Sequence, residues 1–376
     1  MSKGILVLSG YNTRAVIAFC RWARPRRVPF HIIARNEIDP IFLTAFRDSV
    51  FLTRKREDLE LDDFRGWISR IREQCSYREV LVLPSTEFLN RFMLHHRAAI
   101  ESAGGIVPLV AEELYERISD KYSFAQTCAE SGVPVPEEYQ AIPDCFPFVA
   151  KPKSYASILN RQLKPYLILN RTALTDFRRS ETADNYFFQR YIEGKSLYLL
   201  ASIPRTEAPV LFAQENLIQQ ANGGSVILAR PDNFHEQKPA LDYLALLAQL
   251  GFHGLIMIEV RLDRDTQRHF MIEANPRLWG PIQLIVDSGV DFFGAYLRDY
   301  RFDIGSSPHR RQCRPFYFWS GGLIGGTEPA YHNYSPNQFV REFNLISRHD
   351  LFLREDTLDL FRYEQRARDP TQRAAL

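Results

Sequence analysis

Met271-Ile272-Glu273-Ala274-Asn275-Pro276-Arg277-Leu278-Trp279-Gly280 packs a carboxylate, an amide and a guanidinium into the five residues from Glu273 to Arg277. Phe270-Met271-Ile272 reads as the end of a buried strand. Alternate side chains of an extended strand share a face, so Glu273, Asn275 and, if the chain stays extended, Arg277 point the same way. Pro276 cannot donate to a sheet ladder, so the strand ends there. A carboxylate beside an amide oxygen suits a hard cation such as magnesium on nucleotide phosphates. The arginine one step on suits a phosphoryl group in transfer.

Upstream, Gly254 to Asp263 is strongly apolar, Arg264-Asp265-Thr266-Gln267-Arg268 is a polar turn, and His269 to Ile272 is extended again. This pattern predicts a hairpin. Glu259 stands alone in its apolar run, where an unpaired carboxylate costs several kcal/mol. Either it pairs with Arg261 or another arginine, or it shares a metal with Glu273 across the hairpin.

These residues resemble the ATP-grasp superfamily, in which a strand glutamate and a Glu-x-Asn-Pro-Arg segment on the next strand bind magnesium on ATP. The run Leu278 to Asp291, with an aromatic-Gly pair and Val286-Asp287-Ser288-Gly289-Val290-Asp291, is similar to the carboxylate–amine ligase branch, related to the carbamoyl phosphate synthase large chain. The resemblance covers about residues 1–300 and is strongest over 254–291. It implies an α/β and α+β chain: a doubly wound, Rossmann-like parallel sheet (1–115), then two α+β lobes that clasp ATP (116–190 and 191–310), then a C-terminal extension packed on the core (311–376).

Other segments fit this outline. Ile5–Leu8, His31–Ala34, Ser49–Leu52 and Val80–Leu83 read as strands alternating with helices at Thr13–Trp22 and Phe64–Gln74, which predicts a parallel sheet. Ligands of such sheets lie beyond the strand carboxyl ends. Asn12 and Glu87 sit in two of those loops and are candidate substrate contacts. Glu87 is equally a first-turn helix charge, with Ser85 or Thr86 as cap. No Gly-x-Gly-x-x-Gly occurs, so a dinucleotide site is not expected.

Ser119 or Asp120 caps a predicted helix to about Ser131, closed by Gly132. The resemblance gives Lys121 an ATP phosphate; otherwise it is a surface helix residue. Lys151 ends the apolar strand Phe146–Ala150, and the resemblance assigns it the α- and β-phosphates. Relatives then carry a glycine-rich loop, but this chain has no glycine from Lys151 to Glu193. Lys153, Ser154 and Ser157 are expected to substitute with side-chain contacts.

Tyr186 to Gly194 resembles the hinge between lobes. There Gln189 faces adenine, with the backbone of Arg190, Tyr191 and Ile192 beside it, and Glu193 or Ser196 holds the ribose. Gly224, Ser225 and Arg230 resemble a loop over the acyl phosphate, although Asn222-Gly223-Gly224 also makes a plain hairpin turn. The aromatic run Arg314-Pro315-Phe316-Tyr317-Phe318-Trp319 is expected to pack on the core.

The net charge of +2 argues against nucleic acid or an anionic membrane as main partner. The basic spots Arg21–Arg27 and Arg310-Arg311 read as solvated faces. Five scattered cysteines without CxxC spacing point to a reducing cytoplasm rather than structural zinc or disulfides. No run has transmembrane length, so no membrane insertion is expected. The resemblance implies a ligase using ATP and Mg2+, or Mn2+, on a small-molecule carboxylate and an amine. Arg277 and Lys151 would be catalytic, Glu259, Glu273 and Asn275 would hold the metal, and a homodimer is compatible. Carboxylation, thioester formation or a non-catalytic nucleotide-binding role are the alternatives.

Overall fold

Ile5, Leu6, Val7 and Leu8 are apolar on both faces of a strand, and both faces are covered. Ile5 and Val7 pack with the helix Thr13–Ala23, while Leu6 and Leu8 pack with the helix Leu61–Cys75. The structure is a computed structural model and describes residues 2–154, 163–304, 315–323 and 328–366, apart from the Asn222 side chain. Ser157, Arg310, Arg311 and Arg314 lie outside the described residues.

The first sheet contains β1 (Lys3–Leu8), β2 (Phe30–Ala34), β3 (Val50–Thr53), β4 (Glu79–Val82) and β5 (Gly105–Ile106), in the order β3-β2-β1-β4-β5. All its pairings are parallel. The order reverses between β1 and β4, and their following loops form the crevice where ligands of such sheets lie.

The second sheet is antiparallel and small. It holds β6 (Glu138–Tyr139), β7 (Phe148–Pro152), β8 (Tyr166–Ile168) and β9 (Tyr186–Arg190), in the order β6-β9-β7-β8. Leu174 and Phe177 from the helix Arg171–Ser180 cover it. The helix Lys121–Glu130 leads into this unit, and Asp120 caps it by accepting from the N–H groups of Tyr122 and Ser123.

The third sheet is antiparallel: β10 (Gly194–Ile203), β11 (Val210–Gln219), β12 (Val226–Asp232), β13 (Gly254–Asp263), β14 (His269–Asn275), β15 (Tyr317–Phe318) and β16 (Ala330–Tyr331). The order is β14-β13-β10-β11-β12-β15, with β16 beside β11. The aromatic run near 317 does more than pack on the core: Tyr317 and Phe318 are buried and pair with β12. The expected hairpin is β13–β14, and β14 stops at Asn275 before the proline. Its ladder contains a bulge. Glu259 faces Glu273 and Val260 faces Met271, so Ile272 has no partner. The extra residue shifts the alternation. Met271 thereby joins the apolar cluster with Ile258 and Val260, while Glu273 turns to the opposite side. Among the described residues no helix is long and apolar enough to cross a membrane.

Candidate functional site

Strand register builds the site floor as cross-strand rows. Gln214, Tyr198, Glu259 and Glu273 form one row across β11, β10, β13 and β14. Phe212, Leu200, Met257 and Asn275 form the next. Beyond β14 the polar chain continues along the backbone. Asn275 Nδ2 donates to Glu273 Oε1 at 2.8 Å, Arg277 Nη2 donates to Asn275 Oδ1 at 3.1 Å, and Arg277 Nη1 donates to the Leu278 carbonyl at 3.0 Å. The shared face expected for Glu273, Asn275 and Arg277 is therefore present.

Two lysines meet this floor from the unit of the second sheet. Lys121, on the first turn of its helix, forms an ion pair with Glu273. Lys151, near the end of β7, donates from Nζ to the Ile272 carbonyl at 2.8 Å, the residue left without a register partner. Burial pushes the Lys151 ammonium down to about 7, helped by the nearby Lys121 charge and opposed by Glu259. Burial likewise lowers Lys121 to about 8, against the pull of Glu259. A polyanion entering here restores the favoured charged state of both.

These side chains border a cleft. Lys121, Lys151, Glu259 and Glu273 line one part of it, and Gln189 to Ile192 line another. Gln189 is buried, and its Nε2 donates to the Pro136 carbonyl at 3.4 Å. Its Oε1 is buried without a hydrogen-bond partner. An orphaned acceptor of this kind fits the amino group of a purine base.

A second, more open cavity lies over the β1–β4 crevice. Asn12, Glu87, Gly224, Ser225 and Arg277 line it, as do Tyr198 and Arg14. Glu273 lines both cavities, so the motif is their common wall. Asn12 Nδ2 donates to the carbonyls of Ser85 at 3.0 Å and Leu278 at 3.3 Å, which joins the crevice loops to the motif. Glu87 has a place in both the helix and the cavity wall. It stands in the first turn of the helix capped by Thr86, and it also lines the cavity, accepting from Tyr115 Oη at 2.8 Å and Arg91 Nε at 2.9 Å.

Three expected contacts lie elsewhere. Lys153 is exposed and outside the cleft lining; its backbone N–H donates to the Asn185 carbonyl at 2.9 Å. Glu193 is 65 % exposed and pairs with Arg264 at 2.8 Å, because Gly194 starts β10 beside the β13–β14 turn. Its alternative, Ser196, is buried and accepts from Asn216 Nδ2 at 3.0 Å. Arg230 pairs with buried Glu215 at 2.6 Å, its register partner on β11, and does not line the second cavity.

Other side chains enter without having been expected. Arg261 lines the cleft on the same strand face as Glu259, with Nη2 3.5 Å from Glu259 Oε1. Its Nη1 donates to His332 Nδ1 at 2.9 Å, and His332 Nε2 donates to Gln219 Oε1 at 3.0 Å. Burial, with the Arg261 charge, lowers His332 to about 3 and keeps it a neutral acceptor. Arg14 donates to Ser225 Oγ at 2.8 Å and Tyr317 Oη at 3.1 Å and stacks 3.9 Å from the Trp319 ring centroid. Gly280 leaves room for it, since an added Cβ would lie 2.7 Å from Arg14 Cζ. The Arg261 pairing was open in the sequence, whereas Arg14 and His332 carried no local signal.

Among the described residues no group of three His, Cys, Asp or Glu converges. The donors are two carboxylates and one amide, a set that fits magnesium sharing its shell with phosphate oxygens. Lys121 currently supplies the positive charge at Glu273.

No protein-family model and no curated protein sequence matches this chain. Solved structures do match. Rhizobium etli pyruvate carboxylase is 15% identical with a TM-score of 0.58, covering 83% of this chain, which spans only 29% of that protein. The biotin carboxylase domain dimer of Hydrogenobacter thermophilus 2-oxoglutarate carboxylase, with MgADP and bicarbonate, is 15% identical with a TM-score of 0.57, over 82% of this chain and 71% of that one. Bacillus licheniformis L-amino acid ligase is 14% identical with a TM-score of 0.57, over 84% of this chain and 78% of that one. The chain has the ATP-grasp fold that these proteins share.

Proposed function

We propose that the protein is an ATP- and magnesium-dependent ligase that joins a carboxylate to an amine through an acyl phosphate. The observation that carries this reading is the shared wall: Glu273 borders the lysine-lined cleft and the second cavity, and Asn275 and Arg277 continue from it along the second. One cavity suits ATP and the other suits the groups to be joined.

In this reading Gln189 accepts from the adenine amino group, with Arg190, Tyr191 and Ile192 alongside. Lys121 and Lys151 neutralise the phosphates. Glu259, Glu273 and Asn275 would hold Mg2+, with Mn2+ as a substitute, and the ion would supply charge neutralisation on the phosphate oxygens. For that, Lys121 must leave Glu273 and Asn275 Oδ1 must exchange its bond to Arg277. A carboxylate oxygen attacks the γ-phosphorus, and the bond to the β-phosphate oxygen breaks, releasing ADP. The amine nitrogen then attacks the acyl carbon, the C–O bond to phosphate breaks, and the nitrogen loses a proton. Arg277 stabilises the phosphoryl oxygens in both steps. No protein nucleophile is required; catalysis is positioning and charge stabilisation.

The experiment is ADP release from ATP and magnesium with panels of acids and amines. Bicarbonate belongs among the acids, because two of the similar structures are carboxylases. ADP release that needs both an acid and an amine supports the ligase. AMP release, or turnover needing bicarbonate and no amine, sinks it. We further assign residues 1–115, 116–190, 191–310 and 311–376 to the N-terminal domain, the two lobes and the extension. The four free cysteines among the described residues suit a cytoplasmic enzyme, and sedimentation would test a homodimer.

A further inference from the structure

Two arginines follow directly on neighbouring strands of the parallel sheet: Arg35 after β2 and Arg54 after β3. Arg54 is 5% exposed. Its Nη1 donates to the Glu57 carbonyl at 3.2 Å, but its Nε and Nη2 are buried without hydrogen-bond partners. Arg35 Nε is buried and unpartnered too, while Arg35 Nη2 meets the Glu57 carboxylate at 3.1 Å. The other nearby carboxylate, Asp39, is already engaged. It accepts from Ser9 Oγ at 2.6 Å, Arg35 N at 2.7 Å and Ile41 N at 2.9 Å.

Buried guanidinium donors left unpaired cost free energy that a bound oxyanion would offset. The place is also beyond the carboxyl ends of parallel strands, the same side of the sheet as the β1–β4 crevice. Tyr11 connects it to the second cavity. The Tyr11 ring lines that cavity, is 44% exposed, and lies 4.8 Å from Arg35 Cζ and 5.1 Å from Arg54 Cζ. Gly10, at φ +89°, lets this loop lie against Arg35, since a Cβ there would fall 2.3 Å from Arg35 Cβ.

We propose that Arg35 and Arg54 form an oxyanion subsite, with Tyr11 as the partition, for a carboxylate or phosphate carried on the substrate at its end remote from Arg277. The link to substrate rests on the ligase reading; the subsite itself does not.

The test has two arms. In the first, the nucleotide cleft is filled with saturating magnesium and a non-hydrolysable ATP analogue. Inorganic phosphate and succinate are then titrated calorimetrically, with sodium chloride at matched ionic strength as control. Wild type should bind at least one, and the tighter probe tells phosphate from carboxylate. Arg35→Gln and Arg54→Gln should each weaken it by at least about tenfold. Arg35 is partly exposed, so Arg35→Gln decides if Arg54→Gln does not fold. No wild-type binding, equal binding by the variants, or a loss seen only with Arg277→Ala overturns the subsite.

In the second arm, substrates bearing a second oxyanion are compared with their neutral amide counterparts by ADP release. The anionic substrates should show at least about tenfold higher kcat/KM, and Arg35→Gln should abolish that advantage with the KM for ATP unchanged. An undiminished advantage in the variant, or none in wild type, overturns the substrate link. No turnover with any pair counts against the ligase reading and leaves the first arm standing.

Discussion

Lys151 reaches from β7 to the main-chain carbonyl of Ile272 on β14, 2.8 Å away, and so joins the small antiparallel sheet to the strand that carries the motif. Because burial lowers its ammonium to about 7, the free protein loses this charge as pH rises through neutrality. Bound phosphates favour the charged form and raise its pKa. Nucleotide binding above pH 7 should therefore take up protons, and affinity should fall by up to about tenfold per pH unit. Lys121, lowered to about 8, adds to the same trend. Calorimetry at pH 8 in buffers of different ionisation enthalpy should show the uptake, reduced in Lys151→Met.

Arg277→Ala should lower the maximal rate of ADP release by roughly 100- to 1000-fold, the usual cost of removing one preorganised stabiliser. Nucleotide affinity should change little, because Arg277 lines the second cavity rather than the cleft. Full turnover in this variant would remove the assignment.

Glu259→Gln and Glu273→Gln should each raise the magnesium concentration needed for half-maximal turnover by at least about tenfold. They should differ in one respect. Glu273→Gln also releases Lys121 from its ion pair, so nucleotide affinity without magnesium should rise more in that variant than in Glu259→Gln, which frees the more distant Arg261. Binding titrations with and without chelator check this.

His332→Ala should destabilise the protein by about 1–3 kcal/mol, because Arg261 and Gln219 then lose a buried partner. His332 is lowered to about 3 from an ordinary 6.5, so the unfolded chain binds the extra proton between those values. Wild-type stability should consequently fall, on this account, as pH drops from about 6.5 towards 3, by up to about 1.4 kcal/mol per pH unit. Urea unfolding across that range measures the slope, which His332→Gln should reduce.

What could be read in the sequence depended on how far apart the cooperating residues lie. The parallel sheet and the β13–β14 hairpin are written in continuous apolar runs, and Glu273, Asn275 and Arg277 fall within one strand end. Lys121 and Lys151 stand at element ends, where a charge next to an apolar run is conspicuous. Lys153, Glu193 and Arg230 were misplaced because spacing does not say which way a side chain leaves a strand terminus. Arg14, Tyr198 and His332 reach the site through pairings between distant strands and loops. No local pattern announces such pairings. The donor deficit at Arg54 is likewise visible only once its neighbours are placed.

The unmatched Ile272 divides β14 into two segments that answer to different demands. Upstream, the strand is held to the hydrophobic interior by Met271; downstream, Glu273 and Asn275 line the second cavity. One supernumerary residue lets both demands be met by a single continuous strand. Its removal would set them in conflict, because a strand in uniform phase would have to turn its methionine to the cavity or bury its acid. The spacing between the interior and the motif is thus as specific to this site as the acids themselves.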